Sequence, residues 1–179
     1  MEAARPATVD DVLRVLELSA QLRTELVDHR GGDLWQRTHD PVEHTAPGLR
    51  SLLRYPEDCV LVGTFEDSVV GYLIARAHTL ADGSRLAAVT ELFVEPGARE
   101  VAVGEALVNT ALAWATEHGC VGVDATALPG DRAAKNFFET NGFVARSLTM
   151  HRPLIGAADE GDEAGSTGTA AEPPPEAAE

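Results

Sequence analysis

The pattern of apolar and polar positions predicts a chain that begins with helices. Residues 3–5 form a short apolar stretch, which favours a strand. Apolar residues then recur at helical spacing from Val9 to Asp28, which predicts a long amphipathic helix. Residues 33–46 are mostly polar and predict a loop, and a short helix is expected from Pro47 to Arg54.

The middle of the chain predicts an antiparallel meander. Two apolar strands, Cys59–Phe65 and Val69–Ala77, flank the polar residues 66–68, which are typical of a hairpin turn. A second turn at residues 81–84 leads into the apolar strand Leu86–Val94. Strands joined by such short turns are expected to lie side by side.

The last part alternates helices with strands. Helices are predicted at Val101–His118 and Asp131–Thr140, and strands at Val121–Ala127 and Phe143–Leu154. A helical start, a meander and then β-α-β-α-β predict an α/β fold around one mixed central sheet flanked by helices.

Length and composition indicate one domain followed by a polar tail. The chain has 179 residues and is 44% apolar, which suits one hydrophobic core. Residues 156–179 contain only Gly, Ala, Asp, Glu, Ser, Thr and Pro, so they cannot bury enough apolar surface to offset chain entropy. We therefore expect a domain at 1–155 and a disordered acidic tail at 156–179.

The net charge argues against nucleic acid as a partner. Seven of the 15 net negative charges belong to residues 156–179, which leaves −8 for the rest of the chain. Nucleic-acid binding needs clustered Lys and Arg, whereas this surface weakly favours cationic amines. No apolar run reaches the roughly 18 residues of a membrane span, so no membrane contact is expected.

The cysteines and the N-terminus favour a cytoplasmic location. Cys59 and Cys120 lie far apart inside apolar runs and are expected to be buried free thiols. The first residues, M-E-A-A-R-P, lack the basic and apolar regions of a signal peptide.

The most informative segment joins the strand ending at Val94 to the next helix. Residues 94–107 read V-E-P-G-A-R-E-V-A-V-G-E-A-L, with a Pro-Gly turn, an arginine and small residues at the helix start. A helix N-terminus carries unpaired N–H groups and a partial positive charge, and small residues let a phosphate approach them. The segment therefore predicts an anion site for a phosphate-bearing cofactor.

Two motifs resemble those of the GCN5-related N-acetyltransferases (GNAT), and the resemblance covers about residues 3–154. In that family an arginine-plus-glycine segment after the fourth strand binds the CoA pyrophosphate. Its matching positions here are Val94, Pro96, Arg99, Gly104 and Leu107. A second motif, on the late helix, is matched by Asp131, Ala134, Phe137, Phe138, Gly142 and Phe143.

The resemblance implies a GNAT-like, mostly antiparallel sheet and an acyl-CoA-dependent N-acyltransferase. Acetyl-CoA, or another acyl-CoA, would be the co-substrate, and the acceptor would be a primary amine of a small molecule or peptide. No metal is expected, because the histidines show no regular ligand spacing. Similar proteins often dimerise, so a homodimer is possible, although no sequence feature requires it.

The resemblance also implies cofactor-binding residues. Arg99 and the N–H groups of residues 101–105 would hold the pyrophosphate, and Phe93 and Val94 would offer backbone groups to the pantetheine arm. Lys135 would reach a phosphate, although a solvated helix face explains it equally well. The expected cofactor-binding set is Phe93, Val94, Arg99, Val101, Ala102, Val103, Gly104, Glu105, Lys135 and Phe138.

Glu91 is the candidate catalytic base, since it lies on the strand whose end should face the thioester. The alternative is a surface residue paired with Arg76 or Arg85. The polar loop carries Trp35, His39 and His44, which could line the acceptor mouth. Asp131 is a helix cap rather than a ligand.

Three positions depart from the family pattern. Ala102 replaces the first glycine of the phosphate cradle and still admits a phosphate if its φ is negative. Glu100 adds a charge that repels a pyrophosphate unless it points to solvent. Phe138 replaces the tyrosine usually credited with protonating the CoA thiolate, and phenylalanine cannot donate a proton.

The departures at Phe138 and Ala102 leave one alternative function open, a slow or non-catalytic acyl-CoA-binding sensor. Two other classes are disfavoured. An NTPase would need G-K-S/T after a glycine-rich loop, and a nicotinamide oxidoreductase would need G-x-G-x-x-G opening a parallel βαβ unit.

Overall fold

One five-stranded sheet forms the centre of the computed structural model, which describes residues 2–38 and 44–154. The strands follow chain order across the sheet: β1 (Glu2–Pro6), β2 (Asp58–Phe65), β3 (Ser68–Thr79), β4 (Arg85–Val94) and β5 (Cys120–Ala125). The helices are α1 (Val12–Val27), α2 (Gly32–Thr38), α3 (Ala46–Leu52), α4 (Val103–Glu117) and α5 (Arg132–Thr140). Strands β1 to β4 pair antiparallel and β5 joins β4 in parallel, which confirms the predicted mixed sheet.

The hairpin between β2 and β3 forms where the sequence predicts it. Glu66 and Asp67 have φ of 47° and 66°, so both central residues of the turn are left-handed. Such a turn matches the right-handed twist of the flanking strands and fixes their register, with Phe65 opposite Ser68.

Side-chain alternation divides the sheet between two cores. Leu61 and Leu73 belong to the core that includes α4, whereas Val60 and Val62 belong to the core that includes α1 and α3. Each helix therefore covers one face of the sheet with an apolar stripe.

A β-bulge in β4 changes which face its side chains occupy. Ile74 pairs with Glu91 and the next residue of β3, Ala75, pairs with Val89, so Thr90 is the extra residue. Because of this insertion, Val89 joins the α4 core while Glu91 lies on the face covered by α1. The bulge thus aims one carboxylate away from the α4 core.

Strands β4 and β5 separate beyond the bulge. Their parallel pairing ends at Val89 and Ala125, so β4 continues to Val94 without a partner on that side among the described residues. The separation opens a cleft at the carboxyl ends of two parallel strands, the position where α/β sheets commonly bind ligands.

The predicted loop at 33–46 is corrected in part. Residues 32–38 form α2, in which the N–H of Trp35 donates to Gly31 O (2.8 Å) and Arg37 pairs with Asp33 at i,i+4 spacing (3.1 Å). Tertiary packing of one apolar residue, Trp35, gives this polar segment a buried side and overrides its loop-like composition. The predicted acceptor-mouth residue His39 lies outside the described residues.

The predicted strand at Phe143–Leu154 is wrong, because residues 143–154 form no helix or strand. Val144, Leu148, Met150 and Leu154 are each at least 80% exposed. Alternating apolar residues form a strand only where a neighbouring strand can pair with them and other residues can cover their apolar face. The alternation alone provides neither. Residues 145–154 belong to a separate unit, and the predicted tail at 156–179 lies outside the described residues.

Both cysteines are free, as predicted. Cys59 is buried, and burial raises the pKa of its thiol to about 12, whereas Cys120 is half-buried. In the described parts of the chain, no helix has the length and apolar character needed to cross a bilayer.

Candidate active site

The cleft between β4 and β5 has a volume of about 320 Å³. Its walls are residues 89–94 of β4, residues 126–128 after β5, the start of α4, one face of α5 and the side of α1 nearest α2. This volume lies in the range of small-molecule sites.

Unpaired N–H groups lie at the start of α4. The first bond of the helix runs from Ala106 N to Ala102 O (3.0 Å). The N–H groups of residues 101–105 have no hydrogen-bond acceptor within the described part of the chain, and no side chain caps the helix. Donors of this kind, at the positive end of a helix, fit a phosphate group.

Ala102 stands directly before α4 in the left-handed region, with φ 55° and ψ 8°. The sequence predicted that alanine suits this position only if its φ is negative. The φ of Ala102 is positive, so that condition is not met. A left-handed alanine costs about 1 kcal/mol relative to glycine's unrestricted backbone. Glu100 is exposed, so its carboxylate faces solvent.

Arg99 is fixed at the edge of the cleft by three contacts. Its Nε donates to Val94 O (2.9 Å), its guanidinium pairs with the Glu25 carboxylate of α1 (2.6 Å), and it lies 5.5 Å from the centre of the Phe93 ring. Arg99 is the single basic residue among the described residues that line the cleft.

Gly104 brings α4 close to α5. A Cβ at this position would lie 3.1 Å from Cε2 of Phe137, which is tighter than an ordinary contact. Gly104 lines the cleft together with Phe137. Its missing side chain therefore serves helix packing as well as access to the N–H groups.

Backbone alternation along β4 decides which peptide groups face the cleft. The N–H of Glu95 donates to Val70 O of β3 (2.9 Å), so the peptide groups of Phe93 also point toward β3. Those of Leu92 and Val94 point the other way, into the cleft.

Four predicted cofactor-binding residues, Val101, Ala102, Val103 and Glu105, do not line the cleft. Val103 is fully buried in the core. Lys135 is exposed and pairs with Glu139 of the same helix (2.6 Å), outside the cleft. The structure brings together Glu91, Phe93, Val94, Arg99, Gly104 and Phe138.

Glu91 is 5% exposed and lines the floor of the cleft. Its Oε2 accepts a hydrogen bond from the Tyr72 hydroxyl (2.5 Å), and its Oε1 lies 3.6 Å from His44 Nε2. Burial, and next the nearby Glu91 charge, raise the pKa of Tyr72 well above its usual value, so Tyr72 remains a donor.

The alternative interpretation of Glu91 as a surface residue is wrong. Arg76 pairs with Asp58 (2.9 Å) and Arg85 pairs with Glu57. Both arginines are therefore bound to other carboxylates, and Glu91 is held by a tyrosine inside the protein.

The sequence model of the acetyltransferase (GNAT) family matches residues 23–143, more than half of the chain. The chain belongs to this family. It is an N-acetyltransferase, and acetyl-CoA is the family's acyl donor. No curated protein matches the chain closely in sequence.

Solved GNAT structures share the fold at low sequence identity. One is an aminoglycoside acetyltransferase, meta-AAC0020, from an uncultured soil metagenomic sample in complex with sisomicin (TM-score 0.66, 18% identity, covering 86% of this chain and 95% of that one). Another is AAC(6')-Iy with a CoA bisubstrate analogue (0.66, 18%, 87% and 99%). A third is glucosamine-6-phosphate N-acetyltransferase from Arabidopsis thaliana (0.64, 16%, 87% and 99%).

The second GNAT motif packs one wall of the cleft. Phe138 is 9% exposed and makes edge-to-face contacts with Phe137 and Phe143, with ring centres 5.5 and 5.2 Å apart. Its ring faces the cleft without a hydroxyl group. Asp131 accepts a hydrogen bond from Ala134 N (2.9 Å) and caps α5, as predicted.

Sequence reasoning missed three residues that contact predicted site residues: Ser19 contacts His44, Glu25 pairs with Arg99, and Tyr72 donates to Glu91. Tyr72 lies in an apolar run and shows no polar pattern of its own. The antiparallel register of the predicted meander contained a signal, because Tyr72 pairs with Phe93 and is thus diagonal to Glu91 on the same face.

Proposed function

We propose that this chain transfers an acetyl group from acetyl-CoA to a primary amine by direct attack in a ternary complex. One observation carries the proposal: a single cleft joins Arg99 and Gly104, at the start of α4, to the buried carboxylate of Glu91. Acetyl-CoA supplies a thioester when it is bound there. Longer acyl-CoAs are part of the same proposal.

The hydrogen-bond donors at the start of α4 fit the phosphate-bearing end of CoA. Arg99 and Gly104 lie at one end of the cleft, and the unpaired N–H groups of residues 101–105 belong to the same helix start. The peptide groups of Leu92 and the N–H of Val94 face the cleft and can pair with an extended arm in place of β5, while Val94 O accepts the hydrogen bond from Arg99. Phe93 supports Arg99 with its ring, and Phe138 forms the opposite wall.

Glu91 is the proposed catalytic base. An ammonium acceptor is not a nucleophile until it loses a proton, and a carboxylate at the cleft floor can take that proton. The hydrogen bond from Tyr72 holds the carboxylate in one orientation. Glu25 and Asp131 also line the cleft, but Glu25 is paired with Arg99 and Asp131 caps α5.

The side of the cleft near Glu91 favours an acceptor with an apolar body. Leu22, Leu26 and Trp35 line it beside the carboxylate. Apolar walls with one buried acid suit a small aliphatic or aromatic monoamine, or the N-terminus of a peptide. Polycationic acceptors would leave further ammonium groups against apolar walls, which is costly.

Phe138 leaves the departing thiolate without a hydroxyl donor. A thiol with a pKa of about 8.5 is a fair leaving group without acid assistance. Holding both substrates in one cleft contributes about 7 kcal/mol or more in general, so positioning carries most of the proposed mechanism.

The test is an assay of CoA thiol release with acetyl-CoA and a panel of amines. The panel contains phenethylamine-type monoamines, short peptides and aminoglycosides. E91Q is expected to lower kcat/KM about 100-fold while the Kd for acetyl-CoA changes less than about 2-fold. E17Q, an exposed acid on α1, is the matched control. Equal activity of E91Q and wild type would rule out the assigned base.

Phe138 and the left-handed Ala102 favour the slow form of the sensor alternative, an acyl-CoA-binding protein with little turnover. It predicts acetyl-CoA binding with barely detectable thiol release for every amine in the panel, whereas an efficient transferase releases thiol readily with at least one of them. A cytoplasmic location and a homodimer stay predictions from the sequence and the family.

A further inference from the structure

Glu91 is one end of a row of polar side chains that passes beneath α1. His44 Nε2 lies 3.6 Å from Glu91 Oε1, and His44 Nδ1 hydrogen-bonds to Ser19 Oγ (2.8 Å). The side chains of Glu91 and His44 are only 3% and 10% exposed, and Ser19 is 4% exposed. These buried polar groups form a row with one gap, between Glu91 and His44.

The far end of this row opens into a second cavity. The cavity has a volume of about 460 Å³ and is lined by His44 and Ser19 together with Arg23, Thr24 and Gln36. Glu91 does not line it, and His44 does not line the acetyl-CoA cleft. His44 therefore stands between the carboxylate and a separate cavity, which also has Leu16, Ala20 and Val27 in its walls.

The proposed reaction needs such an outlet. An ammonium acceptor and a thioester give an amide and a thiol, and one proton is left over. In that balance the nitrogen loses two protons: one ends on the sulfur and the other must reach solvent. The first proton taken by Glu91 cannot leave through a cleft that both substrates fill.

We propose that His44 is a positioning residue for Glu91 and passes its proton to the second cavity. The inference rests on the proposed function. Glu91 gives the proton to His44 Nε2, and the resulting imidazolium releases a proton from Nδ1 beside Ser19. A side-chain shift of roughly 1 Å would bring Nε2 and Oε1, now 3.6 Å apart, to hydrogen-bond distance.

Several charged and titratable groups surround this imidazole. Glu91 on β4 faces Nε2, Tyr72 on β3 donates to Glu91, and Arg23 and Ser19 on α1 border the cavity side with Gln36 of α2. An imidazole has two ring nitrogens, so it can accept a proton at one and release a proton from the other.

The test compares wild type with H44A, H44Q and the control H78N, which changes an exposed histidine at the end of β3. H44A and H44Q are expected to lower kcat at least about 10-fold, with KM for acetyl-CoA within about 2-fold and an altered pH profile below pH 7. Added imidazole should restore part of kcat in H44A, because the second cavity admits it, and should leave H78N unchanged.

The outcomes separate the two proposals. If E91Q loses activity while H44A and H44Q keep the wild-type kcat and pH profile, the proton route through His44 is overturned and the proposed base is not. A loss in the His44 variants that imidazole does not restore, with an unchanged pH profile, also overturns it, since a purely structural role predicts that result. Wild-type activity in E91Q overturns the proposed base instead. If H44A fails to fold, the pH profile of H44Q decides.

Discussion

Phe138 leaves the cleft wall without a hydroxyl group. Its ring lies in the cleft wall where a hydroxyl would face the leaving sulfur under the proposed mechanism. The F138Y variant is expected to raise kcat several-fold at pH 7, and the gain should disappear above the thiol pKa of about 8.5. Turnover measured from pH 6.5 to 9.5 checks this.

The matched control for that variant is F143Y, which adds the same hydroxyl to the ring packed behind Phe138 and outside the cleft. Identical pH profiles for F138Y and wild type would contradict a leaving-group role at this position.

Ala102 stores backbone strain at the start of α4. Its φ is 55°, a conformation that favours glycine over alanine in the folded state. Glycine also raises the conformational entropy of the unfolded chain, which offsets part of this gain. We expect A102G to raise the free energy of unfolding by about 0.5–1 kcal/mol, measured by urea denaturation. A106G, inside the first turns of α4, should lower it by about 1 kcal/mol. Equal destabilisation by both glycines would contradict the left-handed backbone.

At the residue scale, the sequence was informative where a residue belongs to a motif. Glu91, Arg99 and Gly104 were selected from motif and position, and all three line the cleft. Tyr72 and Ser19 were not found, because each lies within an apolar stripe of the sequence. Their hydrogen-bond partners, Glu91 and His44, lie on distant parts of the chain and come close only in the folded structure.

Helix α1 is tied to the start of α4 by the Arg99–Glu25 pair. A pyrophosphate at the proposed site competes with Glu25 for the same guanidinium. E25Q removes that competitor and one negative charge, while Arg99 keeps its bond to Val94 O. The Kd for acetyl-CoA is expected to fall about 3-fold, and calorimetry measures it.

The control for this tether is E17Q, on the same helix, where the carboxylate pairs with Arg14. Weaker binding by E25Q than by E17Q would mean that Glu25 positions Arg99 rather than competing for it.

The entry into α1 depends on Asp11. Its carboxylate accepts hydrogen bonds from the Arg5 guanidinium (2.7 and 2.9 Å) and from Thr8 N (2.7 Å). The hydrogen bond to Arg5, more than the one to Thr8, lowers the pKa of Asp11 to about 2. Its folded pKa lies below the unfolded value of about 3.9, so the stabilisation is present above pH 4 and lost as pH falls toward 2.

D11N should therefore lower the free energy of unfolding by about 2 kcal/mol at pH 6 and by much less at pH 2.5. D10N, at the exposed neighbouring position, is the control. Urea denaturation at both pH values measures the difference, and a pH-independent effect of D11N would contradict the lowered pKa.

At the scale of elements, periodicity located the long helices and the meander, since each has a wide apolar stripe or a strong turn. It failed for α2 and for residues 143–154. In α2 a single tryptophan holds the helix against the core, and in 143–154 an alternating pattern has no strand beside it. Both outcomes depend on neighbours that local sequence does not specify.

At the scale of the whole molecule, the order of elements predicted the mixed sheet, but not the cleft. The cleft exists because Thr90 bulges β4 and because β5 stops pairing at Ala125. Both features concern register between distant strands. No spacing along one strand reveals where two strands will separate.

The central claim is that the unpaired N–H groups at the start of α4 bind the phosphates of CoA. Calorimetry with acetyl-CoA on G104D and G104N tests it most directly, because the two side chains have the same size and meet Phe137 alike. We expect G104D to bind acetyl-CoA at least about 10-fold more weakly than G104N, and the difference in Kd to narrow as the salt concentration rises. Equal Kd values for the two variants, at low and high salt, would contradict it.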